Sequence, residues 1–202
     1  MKKILVLVVL LGLGSLVSAQ GLSFGIKGGL NLSSVNGDWA QGAESRSGLA
    51  AGGYLTLSLL PSFAIQPEVL YSQKGCKLSG DNAGVPWVGE YRINYAELPV
   101  MVKYSFGILI KPYILAGPYY AVKVGSSYEL AEGDSTWTGS MDNVKDSDLG
   151  FVVGAGVSTP IKLSFEARYS NSFSTIIKDD ADGTSYDWKN SNISVMVGYA
   201  IF

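Results

Sequence analysis

A two-residue alternation returns in segment after segment of this chain. It is clearest in "IKLSFEARYSNSF" (161–173), where Ile161, Leu163, Phe165, Ala167, Tyr169 and Phe173 fall on one face of a strand. Lys162, Ser164, Glu166, Arg168, Ser170 and Ser172 fall on the other. A period of two over this length specifies a strand whose faces meet different environments. The same pattern recurs in 22–32, 49–59, 63–74, 94–104, 112–124, 148–158 and 190–202, which makes eight strands. Each is about as long as the 9–11 residues that cross a bilayer when tilted.

The connections are sorted by length. Short links occur near 60–62, 106–110 and 159–160, whereas 34–47, 77–89, 128–147 and 174–189 are long and polar. Short turns at one end and long loops at the other mark an outer-membrane barrel, with the long loops outside the cell. A soluble sandwich has no reason to sort its loops this way. The apolar rows are therefore expected to face lipid, with Phe24, Phe63, Tyr71, Tyr104 and Phe173 forming aromatic girdles at the interfaces. The expected fold is an all-β, eight-stranded antiparallel up-and-down transmembrane β-barrel.

The N-terminus agrees with export. "MKKILVLVVLLGLGSLVSAQ" has two lysines, an apolar run too short for a membrane span, and the small-x-small sequence Val17-Ser18-Ala19. Residues 1–19 read as a signal peptide cleaved before Gln20, and 20–202 as the barrel domain, placed in the outer membrane. No cysteine follows the cleavage site to carry a lipid, and the lone Cys76 cannot form an internal disulfide. It reads as a tolerated free thiol. The formal net charge of −2 argues against a nucleic-acid partner.

Three prolines oppose the strand reading. Pro67, Pro99 and Pro118 lie inside strands, where each should remove a ladder hydrogen bond or mark a bulge. They also sit in the stretches "QPEVLYSQKG" (66–75), "YAELPVMVKY" (95–104) and "KPYILAGPYY" (111–120). With the opening "GIKGGLNLS" and the closing "VGYAIF", these stretches resemble the outer-membrane β-barrel domain of Bacteroidota-type bacteria, often named the PorT family. The resemblance implies an eight-stranded outer-membrane barrel, and the family name implies a link to protein secretion. The chain departs from the usual outer-membrane ending, because Phe202 is out of phase with the row of Tyr199 and Ile201.

The available chemistry is narrow. There is no histidine, which removes Ser-His and Cys-His nucleophile pairs and the commonest metal ligand. Lys27, Glu68, Glu97, Lys103, Lys123, Glu166 and Arg168 all fall on the polar face, as does Lys74. Glu68, Glu97 and Glu166 are expected to pair inside the barrel with Lys27, Lys103, Lys123 and Arg168, which explains both signs of charge without catalysis. The acidic stretch "KDDADGTSYD" (178–187) fails the EF-hand pattern, because with Gly183 sixth the first and last ligand positions are Lys178 and Lys189. No catalytic residue, cofactor or metal site is assigned.

An eight-stranded barrel holds little more than its own side chains, so a general diffusion porin is not expected. The leading reading is a non-enzymatic envelope protein in contact with outer-membrane lipid. Its loops would meet extracellular ligands, or envelope or secretion-system proteins. One alternative is a soluble periplasmic lipocalin-like binder of small molecules, with the apolar face inside. A barrel enzyme of the outer membrane is the other.

Overall fold

The computed structural model describes residues 21–37, 43–82, 84–141, 143–177 and 188–202. Residues 1–19, read above as a signal peptide, and the acidic stretch 178–187 lie outside the described residues. Among the described residues nine antiparallel strands are formed: β1 (Leu22–Asn36), β2 (Glu44–Ser58), β3 (Phe63–Asn82), β4 (Val85–Ser105), β5 (Lys111–Glu132), β6 (Ser135–Ser140), β7 (Ser147–Ser158), β8 (Leu163–Ser172) and β9 (Lys189–Ala200). Eight of them make the wall. Neighbours in sequence pair around the ring, β5 passes directly to β7, and β9 returns to β1 to close it. Closure satisfies every wall strand on both sides and leaves the ring no free edge.

The faces divide as the alternation demands. Ile26, Leu30, Leu49, Val69, Val100, Ile114, Phe165 and Val195 are exposed on the outside. Lys27, Asn31, Gln66, Glu68, Ser72, Glu166, Arg168 and Asn192 are buried within. Aromatic residues gather at both ends of the outer apolar band. Phe63 and Tyr104 pack at 4.7 Å between ring centroids near the short turns, and Phe151 and Phe173 at 5.6 Å near the loops. Phe202 joins the first group despite its phase, 6.2 Å from Phe24, because β9 ends at Ala200 and the last two residues leave the pleat.

One expectation needs correction. The stretches 77–89 and 128–147 are not simply loops. β3 and β4 continue in register from Lys77↔Glu90 to Asn82↔Val85, and β5 turns back at Gly133 to pair with β6. The apolar row ends where lipid ends, but backbone pairing in water needs no apolar row. A four-stranded sheet from β3 to β6 therefore stands clear of the band. At the prolines the first of the two expected outcomes holds: the ladder skips Glu68/Pro99 and Val100/Pro118, and no bulge is made. Register is unbroken across Pro67, Pro99 and Pro118, and the irregularities fall at Ser45/Ala50 and Asn94/Tyr95. The second leaves Val124 as the extra residue of β5, so beyond it the inward positions become Ser126, Tyr128 and Leu130.

Candidate functional site

The lumen is built in layers, and its centre is a cluster of charges from three strands. Arg168 on β8 donates from Nη1 and Nη2 to the two oxygens of Glu68 on β3, at 2.7 and 2.6 Å, and from Nε to Glu166. Lys27 on β1 joins the two carboxylates, 2.9 Å from Glu68 and 3.4 Å from Glu166. Gln66 and Tyr113 complete the shell by donating to Glu68 at 2.7 Å and to Glu166 at 3.0 Å. Such fork-to-carboxylate bonds are among the strongest polar contacts a protein makes. All four charged side chains are at most 4% exposed.

The other three residues singled out on the polar face go elsewhere. Glu97 on β4 lies 2.5 Å from the ammonium of Lys74 on β3, which also lies 4.4 Å from the centroid of the Tyr119 ring. Lys123 sits at the loop end, donating to the Val144 carbonyl at 2.6 Å and pairing with Asp146 at 3.1 Å. Lys103 meets no carboxylate among the described residues. Its ammonium donates to Gln66 at 3.4 Å and lies 3.7 Å from the centroid of the Tyr113 ring. Asp148 is a further buried carboxylate, accepting from Tyr119, Ser172 and Asn190 at 3.1, 2.8 and 3.0 Å. Continuing the inward row of β7 one step past Gly150 would have found it.

Above the charges the lumen is shut. Cys76, Ile93, Tyr95, Val144 and Ile176 form a buried apolar plug, with Met141 and Trp188 packed on it. Val144 and Ile177 bridge two of the long connections across the mouth. At the other end, among the short turns, a cavity of about 500 Å³ opens. The barrel is thus a blind cup.

Beyond the apolar band, the projecting sheet carries its own ion cluster. Glu90 accepts from Arg92 Nε and Arg46 Nε, each at 2.8 Å, and Lys77 stands 3.7 Å away. The hydrogen bond from Arg92, with help from Arg46, holds the Glu90 carboxyl at about 2. The usual carboxylate value is about 4.3. A folded value below the unfolded one means that Glu90 contributes fully above the ordinary value and loses that contribution as pH falls toward 2. Protease cleavage at the β3–β4 tip should therefore accelerate across that window. Glu90→Gln should abolish this acid-dependent part, and an unchanged acid response would disprove the assignment.

An apolar belt outside, an ion-paired interior and a closed antiparallel ring together define a transmembrane barrel of the outer-membrane class. A lipocalin-like binder would need the opposite arrangement of faces. The chain belongs to the outer membrane protein β-barrel domain family, whose sequence profile matches residues 18–178. No curated protein matches it in sequence. Among solved structures it is similar to Ail, the attachment invasion locus protein of Yersinia pestis, at 12% identity over 90% of this chain and 100% of that one, with a TM-score of 0.45. Neisserial surface protein A is similar at 14% identity over 89% of this chain and 99% of that one, with a TM-score of 0.48.

Proposed function

We propose that this chain is a non-enzymatic interaction protein of the outer membrane, exported by a signal peptide cleaved before Gln20. Its long connections face the outside, and both ends of the barrel domain and its short turns face the periplasm. The projecting β3–β6 sheet carries this reading, because it offers a surface beyond the lipid while the plugged lumen offers no passage. That surface presents exposed Val85, Val88 and Trp137. Aromatic side chains of this kind are common anchors for binding partners. The partners in this reading are extracellular ligands or envelope proteins. Membership of the PorT group, and with it a place beside a protein secretion system, is supported by the motifs at 66–75, 95–104 and 111–120. The lack of histidine and the ion-paired state of Glu68 and Glu166 support a role without catalysis.

Cysteine labelling in intact cells tests the orientation. In a Cys76→Ser background, Ser135→Cys should react with an impermeant maleimide, since Ser135 is exposed at the tip of the sheet. Thr159→Cys, in the turn between β7 and β8, should react only after the cells are broken. The reverse pattern would mean an inverted barrel.

A further inference from the structure

The cavity at the short-turn end has a one-sided charge. Among the described residues four lysines line it, Lys27, Lys103, Lys111 and Lys162, against one carboxylate, Glu166. That carboxylate is already engaged by Arg168, Lys27 and the Tyr113 hydroxyl. Among the described residues Lys103 meets only the Gln66 oxygen and the Tyr113 ring, which leaves further donor capacity on its ammonium. Lys162 donates to the Ile201 carbonyl at 3.0 Å, and Lys111 stands exposed on the rim. Serine and threonine hydroxyls, among them Ser23, Thr56 and Ser164, fill the wall between them. Walls of low dielectric around charges of one sign focus the field on an oppositely charged guest. A volume of about 500 Å³ is within the range of small-ligand sites.

We propose that this cavity binds an oxyanion of the phosphate class, with Lys103 as the inner ligand and Lys111 and Lys162 at the rim. Lysine acts as a point charge toward phosphate, and several converging lysines suit a dianion better than a single carboxylate. Because the opposite mouth is plugged, the anion enters and leaves by the same opening, so the cavity holds it rather than conducts it. The rim carries the exposed apolar tips Ile108 and Leu109, which bring the opening to the depth of lipid headgroups. The phosphate can therefore come from free solute or from an anionic lipid headgroup.

Calorimetry on the full-length chain in a maltoside detergent, titrated with inorganic phosphate, tests the assignment. Saturable binding is expected, weakened about tenfold in Lys103→Gln and unchanged in Arg92→Gln at the far end of the barrel. If Lys103→Gln fails to fold, the double variant Lys111→Gln/Lys162→Gln carries the same expectation. The absence of saturable binding at millimolar phosphate, or equal affinity in the folded lysine variants, overturns the proposal. Repeating the titration in nanodiscs separates the sources. Equal affinity in phosphatidylcholine and phosphatidylglycerol discs identifies free phosphate as the guest. Loss of binding in the phosphatidylglycerol discs alone identifies the headgroup.

Discussion

Arg168→Leu should lower the unfolding temperature in detergent far more than Phe165→Leu three residues away on the same strand. Arg168 is the hub of the lumenal cluster, bonded to both oxygens of Glu68 and to Glu166. Without it, Lys27 alone faces two buried carboxylates. Removing one partner from a buried ion pair costs about 3–5 kcal/mol, because the surviving charge stays desolvated and unpaired. Phe165 points outward, about half exposed. Its exchange for another apolar side chain of similar size should cost less than about 1.5 kcal/mol. Arg168→Lys should restore only part of the loss, since an ammonium cannot make the two parallel bonds to Glu68. Equal, mild effects of the two leucine substitutions would mean that the polar face is bathed in bulk water.

The second large effect is expected at Lys74. Its ammonium is the counter-ion of Glu97 at 2.5 Å and is packed against Tyr119 and Tyr95, at 4.4 and 5.7 Å from their ring centroids. Lys74→Met leaves Glu97 as a buried anion and should again cost about 3–5 kcal/mol. The double variant Lys74→Met/Glu97→Leu removes both charges and should be more stable than the single one. That recovery is the signature of two coupled residues. If the double variant lost as much as the two single losses added together, the ion pair would not be what holds β3 to β4 at this depth.

The two sites also show how far sequence reading reaches. Lys74 shares the inward phase of Gln66 and Glu68 on β3, so its face was legible from spacing alone. Its partner was not. Glu97 is twenty-three residues away in sequence, and the β3–β4 ladder sets Leu70, not Lys74, directly opposite it. Only the reach of the lysine side chain across the curved wall brings the two charges together. Lys103 and Lys123 share a face with the carboxylates, yet the first ends against Tyr113 and the second at Asp146.

Alternation is a local property, since each residue's face follows from its neighbours two positions away. Spacing along the chain is therefore enough to put Lys27, Glu68, Glu166 and Arg168 on the polar side and Phe165 and Leu30 on the apolar one. Depth in the membrane and neighbourhood around the ring are not local. Arg168 and Glu68 are a hundred residues apart, and they meet across the lumen only because β9 pairs with β1 and closes the sheet. Which end is plugged was decided by contacts between the long connections, where Val144 pairs with Ile177. The apolar plug is assembled from Val35, Cys76, Ile93, Val144 and Ile176, residues that no single strand's periodicity places together.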